Sequence, residues 1–321
     1  MNQIDFSKDK LVHATAADNR VRCVAAVTTG LVGEACGRHG TFPTASVALG
    51  RLLTGTLLLG RTLKDLEKIT VQFQCDGPIR GIIAQADAVG RVRGYAFNRE
   101  ADATEMNSLG KFDVRSIVGS GTVYVTRDAG FEIGLLKEPY RGSVPIVSGE
   151  IGEDLAYYLA KSEQINSAVG VGVLMTVTAA EEEMVSSEVA EFSVDRLRVA
   201  ASGGYIIQIM PNASPELIDQ VERAVTAAPY STDMIRRGSS PADMLQEVLG
   251  ELDLCVLEEI TPVFHCQCSK QRALQIISCL GNHEIEDMLA KDRGAELICH
   301  FCNEAYQISD DELSEMLVTA D

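Results

Sequence analysis

Long hydrophobic runs are missing from this sequence, although 46% of its 321 residues are apolar. No apolar stretch reaches the roughly 18 residues that a membrane-spanning helix needs, so no transmembrane segment is expected. Residues 1–10 are mixed and charged, which is not the pattern of a secretory signal, a basic stretch followed by an apolar one. These two absences predict a soluble globular protein of the cytoplasm.

Basic residues are also scarce. Lys and Arg number 28 against 46 Asp and Glu, so the formal net charge is −18. This charge disfavours contact with phosphate backbones and anionic lipid, and neither nucleic acid nor a membrane is an expected partner. Residues 261–321 contain four basic and eleven acidic side chains, a balance that makes a zinc-ribbon nucleic-acid binder improbable.

Two catalytic motifs are absent as well. The sequence contains neither a phosphate-binding loop of the type Gly-x-x-x-x-Gly-Lys-Ser/Thr nor a His-Glu-x-x-His motif, so ATP use and metalloprotease activity are unsupported. The alternative of an acidic enzyme with a purely structural zinc tail depends on four residues near one predicted helix: Glu150, Glu153, Asp154 and Glu163. We interpret them as a solvated face with charges favourable at a helix start, and we expect no enzyme.

Nine cysteines are present, and four of them form two close pairs near the C-terminal end. An odd number spread over a long chain is typical of a reducing compartment, where thiols stay free or bind metal. The pairs are Cys266-x-Cys268 and Cys299-x-x-Cys302, which together offer the four ligands that tetrahedral zinc takes. Thirty residues separate the pairs, more than the about 15–20 of a common zinc ribbon, so the insert must hold structure of its own. We predict one Zn²⁺ on these four sulfurs.

Three roles for this quartet remain open from its residues alone. The zinc can be a permanent staple of the C-terminal module. Alternatively, oxidation of the same thiolates releases the zinc and unfolds the module, because thiolate character sets the susceptibility to oxidation. A thioredoxin-like dithiol at Cys299-x-x-Cys302 is disfavoured, because that motif needs a helix start and a hairpin is predicted here.

Groups next to the quartet complete the predicted site. A zinc ion with four thiolates has a net charge near −2, and Lys270 and Arg272 are expected to offset it together with backbone N–H groups. His265 and His300 each adjoin a quartet cysteine. We rank them below sulfur as ligands because four sulfurs suffice.

The remaining cysteines are predicted to be structural. Four lie in apolar or strand-like surroundings and are expected to be buried as small hydrophobic side chains: Cys23, Cys75, Cys255 and Cys279. Cys36 and His39 are three residues apart, which suggests a nucleophile with its base. Catalytic Cys and His usually meet across a fold, however, so we disfavour this interpretation.

The predicted fold class is α+β, with a large N-terminal domain in residues 1–213, a helical linker in 214–260 and a zinc-binding domain in 261–321. Pro43 is suited to the start of a long buried helix that ends near Lys64, and a second helix is predicted over 150–162. Between them, short β-rich runs punctuated by glycine predict an antiparallel meander: 69–75, 79–86, 89–97, 121–126 and 131–136.

Capping signals define the C-terminal third. Ser214-Pro215 and Ser240-Pro241 each combine a cap with a first-turn proline, so residues 214–260 are predicted to form helices with short apolar faces that unfold easily. Ser269 is expected to cap a later helix, and the second cysteine pair to form the turn of a hairpin over 295–308. This last module has few large apolar groups, so metal binding, on the order of 10 kcal/mol, is expected to stabilise its fold.

Several motifs together resemble one protein family. Besides the quartet they are Ser148-Gly-Glu-Ile-Gly-Glu-Asp-Leu155, Ser162-Glu-Gln164, Cys75-Asp-Gly-Pro-Ile-Arg-Gly81 and Gly90-Arg-Val-Arg-Gly-Tyr95. In combination they resemble the 33 kDa heat-shock family of redox-regulated molecular chaperones, nearly from end to end.

This resemblance implies an ATP-independent holdase that is zinc-bound and nearly inactive when reduced. It implies that oxidative stress with heat or unfolding forms two disulfides, Cys266 with Cys268 and Cys299 with Cys302, and ejects the zinc. The zinc module and the linker, matched to residues 214–260, then become disordered and expose apolar surface that captures unfolding proteins. The active form tends to dimerise in that family.

The resemblance says less about which residues contact clients. The candidates are apolar linker side chains that need a surface to pack against: Met244, Leu245, Val248, Leu249, Leu252 and Leu254. Ordinary packing on the N-terminal domain is the alternative, and the two roles are compatible if the linker is packed when reduced and exposed when oxidised.

Overall fold

The chain divides between Phe264 and His265 in the computed structural model. The structure describes residues 8–64, 67–108, 110–128, 139–177, 197–211 and 213–318. Helices and mainly antiparallel sheets make up the first unit, and the second contains helices and one hairpin. The α+β prediction is therefore confirmed, whereas the functional division at residues 213 and 260 stays a prediction.

One sheet of the first unit is antiparallel throughout. Its strands are β1 (Lys10–Ala16), β2 (Val21–Val27), β8 (Ser167–Val177), β9 (Leu197–Ile209) and β10 (Cys255–Ile260). Their order across the sheet is β10-β1-β2-β9-β8. The run 255–260 was expected to be helical as part of the linker, and that expectation is wrong. Its apolar and β-branched residues pair with β1 instead. The free edge of the first sheet offers hydrogen-bond partners, and these outweigh a weak local preference for helix.

The second sheet contains the predicted meander in altered order. Its strands are β3 (Lys68–Cys75), β4 (Ile82–Asp87), β5 (Arg91–Ala96), β6 (Gly121–Asp128), β7 (Tyr140–Pro145) and β11 (Val263–Phe264), arranged β11-β5-β4-β3-β6-β7. β6 pairs with β3 instead of β5. The short helix α3 (Val114–Val118) leads into it, and the Gly77 N–H binds the Val118 carbonyl at 3.0 Å, which holds this return beside the end of β3. The predicted strand at 131–136 lies outside the described residues.

A buried helix joins the two sheets. α1 (Thr29–His39) precedes α2 (Pro43–Gly60), in which every residue but Arg51 is buried. α2 packs on β3, β4 and β5 of one sheet and on β8 and β9 of the other, as expected for a helix that is apolar on all sides. A Cβ added at Gly55 would lie 2.4 Å from a methyl carbon of Leu155 in α4 (Gly152–Lys161), so glycine permits this close approach.

The linker helices cover the opposite face of the first sheet. They are α5 (Pro215–Ala227), α6 (Ser231–Arg236) and α7 (Pro241–Leu249). The predicted caps are confirmed, since the Ser214 and Ser240 hydroxyls accept hydrogen bonds from the N–H groups of Leu217 and Asp243. Side chains from these helices and from β1, β2 and β9 form a second core. None of the helices in the described ranges is both long and apolar enough to cross a membrane.

The second unit has a small core. It consists of α8 (Lys270–Ser278), α9 (Asn282–Lys291), the hairpin β12 (Gly294–Ile298) and β13 (Ala305–Ser309), and α10 (Asp310–Val318). Five buried apolar side chains form its centre: Ala273, Ile277, Ile285, Ile308 and Leu313. The cap at Ser269 is confirmed, because its hydroxyl accepts from the Arg272 N–H at 3.3 Å.

A buried carboxylate organises the 148–155 motif. Asp154 is fully buried, and its oxygens accept hydrogen bonds from the N–H groups of Val147, Ser148 and Ile151 and from the Ser148 hydroxyl, at 2.8–3.1 Å. Ile151 has φ 71° and ψ −55°, and the Gly152 N–H donates to the Glu150 carbonyl at 2.9 Å, so Ile151 is the centre of a tight turn whose positive φ is unfavourable for a β-branched residue. These hydrogen bonds therefore hold a strained loop in place.

The acidic residues near α4 were expected to form a solvated face, and this is wrong for three of the four. Asp154 is buried, Glu150 forms an ion pair with Arg51, and Glu163 lies 3.1 Å from the Arg127 guanidinium. Glu153 is exposed as expected. Three of the four carboxylates on which the enzyme alternative depends are therefore engaged in structural contacts.

Replacing Asp154 with Ala should destabilise the first unit strongly. Four donors would lose their acceptor inside the protein, which is expected to lower the free energy of unfolding by at least about 3 kcal/mol. Asp154→Asn should not rescue stability, because an amide NH₂ would face hydrogen-bond donors. Urea denaturation followed by circular dichroism measures both.

Glu153→Ala is the matched control, since it removes an exposed carboxylate one position away in the same helix turn. Its stability should change by no more than about 0.5 kcal/mol. Equal stability of Asp154→Ala and Glu153→Ala would contradict the assigned role of the buried carboxylate.

Candidate metal centre

Four sulfur atoms meet in the second unit. The Sγ atoms of Cys266, Cys268, Cys299 and Cys302 all lie within 4.8 Å of one another. Cys266 Sγ is 3.7 Å from Cys299 Sγ, and Cys268 Sγ is 3.3 Å from Cys302 Sγ. A tetrahedral zinc ion with Zn–S bonds of about 2.3 Å separates its sulfurs by roughly 3.8 Å. The number, type and spacing of these donors therefore fit one zinc ion.

The first cysteine pair lies between β11 and α8. The Arg272 guanidinium in the first turn of α8 donates a hydrogen bond of 2.8 Å to the carbonyl of Gln267, the residue between the two cysteines. The positive end of the α8 dipole also begins two residues after Cys268. Lys270 instead binds Glu312 of α10 at 2.7 Å. Arg272 thus lies beside the pair as expected, whereas Lys270 links two helices.

The second pair forms the hairpin turn, as predicted. The Asn303 N–H donates to the Cys299 carbonyl at 2.7 Å, and the Cys299 N–H donates to the Glu304 carbonyl at 2.9 Å. Asn303 has φ 59°, a left-handed conformation that Asn tolerates well. Because the pair lies between β12 and β13 and not at a helix start, the thioredoxin-like alternative is excluded. Within the described residues the cluster consists of the four cysteines, without His265 or His300.

Burial sets the acid–base chemistry of the sulfurs. Cys302 is buried and the other three are half-buried. Desolvation raises the pKa of the Cys302 and Cys299 thiols. A metal ion has to displace protons from such thiols, so its affinity falls in acid.

Tyr306 contacts the cluster and was not identified from the sequence. Its hydroxyl donates a hydrogen bond to Cys268 Sγ at 3.1 Å, and this contact raises the pKa of the Tyr306 phenol. Tyr306 pairs with Leu297 across the hairpin, four residues after Cys302. The sequence feature that could have identified this contact is a tyrosine on the strand that follows the cysteine turn.

Cysteines outside the quartet are placed differently from one another. Cys23 is buried as predicted, and burial raises its pKa to about 12; Cys75 is half-buried, with its pKa raised to about 11 for the same reason. Cys255 and Cys279 are exposed, so their predicted burial is wrong. Cys255 lies on an edge strand and Cys279 at the end of α8, where neither side chain finds a core.

Cys36 is not arranged as a nucleophile. Burial raises the pKa of its thiol, and its sulfur lies 3.9 Å from the Ser46 carbonyl oxygen. His39 is buried as well. A neutral, buried thiol is unreactive, which agrees with the structural role expected for Cys36.

The candidate client-binding residues lie in the second core, against β1, β2 and β9. Five of them are buried and Leu254 is partly buried: Met244, Leu245, Val248, Leu249 and Leu252. Packing on the sheet is thus their role in this state, and their contact with clients stays a prediction.

Fold and site together define an α+β protein whose C-terminal unit is built around four thiol ligands. A model of the Hsp33 protein family matches residues 9–309. The 33 kDa chaperonin of Listeria monocytogenes serotype 4b is 44% identical over 310 residues, which cover 96% of this chain and 98% of that protein. The 33 kDa chaperonin of Shouchella clausii is 42% identical over 315 residues, covering 98% and 99%.

A solved structure agrees with these matches. The crystal structure of the 33 kDa chaperonin (heat shock protein 33 homolog) from Thermotoga maritima has a TM-score of 0.84 and 33% identity, covering 98% of this chain and 99% of that one. The chain belongs to the Hsp33 family, and the resemblance found in its motifs is confirmed.

Replacing Tyr306 with Phe should weaken metal binding and keep the ligands. Loss of the O–H···S hydrogen bond is expected to lower zinc affinity about tenfold, as for other partners of metal ligands. Competition with a chromophoric chelator measures the affinity. The charge-transfer band of the Co²⁺-substituted protein should persist, which would show that four sulfurs still bind.

Tyr157→Phe is the control, because it removes a tyrosine hydroxyl from the other unit. It should bind zinc like the unaltered chain. If the two variants bind zinc equally, the hydroxyl of Tyr306 has no part in the centre.

Proposed function

We propose that this protein is an ATP-independent holdase whose zinc centre acts as a redox switch. Its membership of the Hsp33 family supports a chaperone function. The observation that carries the switch is the sulfur quartet within 4.8 Å, in a unit whose described residues place five buried apolar side chains at the centre of its core. When bound, zinc cross-links the two loops and supplies folding free energy on the order of 10 kcal/mol.

Oxidation removes the ligands in pairs. We assign the disulfides to Cys266 with Cys268 and to Cys299 with Cys302. Each forms as two thiols lose two electrons and two protons, while one molecule of hydrogen peroxide is reduced to two molecules of water. A disulfide sulfur is no longer a thiolate donor, so both loops lose their affinity for the metal.

The choice of partners decides whether the unit can open. Sulfurs of different loops are in contact, 3.7 Å and 3.3 Å apart, so disulfides between the loops are also within reach. Disulfides between the loops would link the hairpin covalently to the first cysteine pair, and the two loops would stay cross-linked without zinc. Disulfides within each pair leave the two loops unconnected, and this pairing alone lets oxidation unfold the unit.

Unfolding of the second unit exposes the client-binding surface. The linker helices then separate from the first sheet, and the apolar side chains of α7 and its continuation bind unfolding proteins: Met244, Leu245, Val248, Leu249, Leu252 and Leu254. The net charge of −18 keeps the open form away from nucleic acid and anionic membranes. By its resemblance to the family, the oxidised form acts in the cytoplasm as a homodimer. We propose no catalytic activity.

Peroxide treatment at mildly elevated temperature should switch the chaperone on. About one zinc per chain should leave as two disulfides form, and suppression of client aggregation without ATP should appear only then. A chromophoric chelator follows zinc, peptide mapping locates the disulfides, and light scattering follows a client that unfolds on heating.

Cys279→Ser provides the control, because it removes an exposed thiol outside the quartet. It should activate like the unaltered chain. Retained zinc with no suppression would make the quartet a permanent staple, and disulfides between the loops with full activity would refute the assigned pairing.

Replacing Leu249 with Ser should lower client capture by the fully oxidised protein. Leu249 is 1% exposed in the second core, so loss of this side chain removes apolar surface that a client would cover. We expect several-fold more chaperone to be needed for half-maximal suppression. Suppression is compared at equal zinc release, since the same substitution loosens the linker before oxidation.

Gln246→Ser is the matched control, because residue 246 is an exposed position of the same helix. Its capture should equal that of the unaltered chain. Unchanged capture by Leu249→Ser would remove this face of α7 from the client-binding surface.

A further inference from the structure

Residues 255–264, here called the strap, complete an edge of each sheet. The strap contains β10 and β11. β10 pairs antiparallel with β1, from Leu11 opposite Ile260 to Thr15 opposite Cys255. β11 pairs parallel with β5. Cys266 follows two residues after the strap, so the strap is the chain that links the linker helices to the first pair of metal ligands.

Main-chain hydrogen bonds are the principal attachment of β10. Its first five residues are exposed, among them Val256 at 46% and Leu257 at 55%. Its side chains add two ion pairs, Lys10 with Glu259 at 3.4 Å and Arg61 with Glu258. The acidic partner of each pair is exposed to solvent, which limits what the pair contributes to stability, and little apolar surface is buried before Ile260. An attachment of this kind makes few demands on side-chain sequence.

The partner strand stays in place without the strap. β1 pairs with β2 along its whole length, from Lys10 to Ala16. Its Leu11 side chain lies in the main core, which does not include the linker helices, while Val12, Ala14 and Ala16 point to the second core on the other face. Departure of β10 would leave a rigid strand with unpaired N–H and C=O groups along one edge. Such an edge is a template for another strand.

We propose that this vacated edge of β1 captures extended client segments by strand addition when the protein is oxidised. This inference rests on the proposed function, because the strap is released only if the unit that follows it unfolds. An unfolded protein supplies the extended apolar segments that strand addition needs, and main-chain pairing accepts many sequences. β10, exposed and apolar at Val256 and Leu257, occupies the edge as such a segment would. The strap is thus an internal occupant of the client site.

A disulfide between β1 and β10 tests whether the strap must leave. Thr15 lies directly opposite Cys255, and opposite residues in antiparallel strands have Cα atoms about 4.5–5.5 Å apart, within the range that a disulfide spans. Peroxide should therefore bridge Thr15→Cys to the native Cys255. We expect the locked chain to release zinc like the unaltered protein and to capture at least tenfold less client.

The control combines Thr15→Cys with Cys255→Ser, which keeps the change in β1 and cannot form the bridge. Its capture should equal that of the unaltered chain. Full capture by the locked chain after zinc release would overturn the inference and leave the redox switch intact. Failure of the unaltered chain to release zinc or to capture a client would instead overturn the proposed function.

Hydrogen exchange of the unaltered, full-length chain tests the site directly. Alternate N–H groups of β1 point towards β10 and towards β2. The exchange rate of each β10-facing amide can therefore be compared with that of the β2-facing amide next to it in the chain. Oxidation should increase exchange at the β10-facing amides of residues 11–15 at least tenfold. Reduced and carboxymethylated α-lactalbumin, a permanently unfolded probe, should restore their protection, while the β2-facing amides stay protected throughout.

Two results would contradict capture at this edge. One is an edge that the probe does not protect, although the probe binds the oxidised chain. The other is protection that rises with protein concentration in the absence of the probe, since a second copy of the chain would then occupy the edge.

Discussion

The proposed function depends on one interaction, the cross-link that the four sulfurs of the second unit can make through a single metal ion. Fixing the backbone costs about 1–2 kcal/mol per residue, and the described residues of this unit, which has more than fifty residues, offer a small core of five buried apolar side chains with others partly buried against them. Units of this size usually need a metal or disulfides for that reason. In the proposed switch, the state of the four thiols therefore decides whether the unit is folded, and oxidation of the thiols becomes a change of fold.

The first sheet turns that change of fold into exposed surface. One of its faces packs on α2 within the main core, and this contact is independent of the metal. The other face is covered by the linker helices, and the edge of β1 by the strap. The linker helices and the strap both belong to the segment of chain that immediately precedes Cys266. On the proposed mechanism, loss of order at the cysteines would therefore affect the strap and the linker helices, while the contacts of α2 in the main core do not depend on it.

Local signals made much of this structure predictable. The caps at Ser214, Ser240 and Ser269 and the cysteine turn each depend on residues within about four positions, and all four were found from the sequence. The quartet was also predictable, because its donors occur in short pairs. What the sequence did not reveal depends on distant partners: β6 beside β3, β10 on the edge of β1, and the Tyr306 hydroxyl on Cys268.

Asp154 shows the same limit within a recognised motif. Its place at a helix start was apparent from the sequence, but its burial depends on how the loop before α4 folds around it. The exposure of Cys255 has an equivalent cause, since a cysteine in an apolar run is buried in a central strand and exposed on an edge. The hydrophobic periodicity of a segment predicts its secondary structure, whereas the burial of each side chain depends on which other elements pack against that segment.

The proposed holdase needs a competitor for its clients if it is to release them without ATP, and the strap would meet this requirement on reduction. Reduction restores four thiols, and refolding of the second unit fixes the chain two residues from β11. The strap is then tethered beside the β1 edge at an effective concentration on the order of millimolar, as short linkers give. A client that is held mainly by main-chain hydrogen bonds to the same edge gains little binding free energy from its side chains, so it does not outcompete the strap. On this proposal, the main-chain pairing that makes capture tolerant of sequence also makes it reversible, and the state of the thiols would determine which strand occupies the edge.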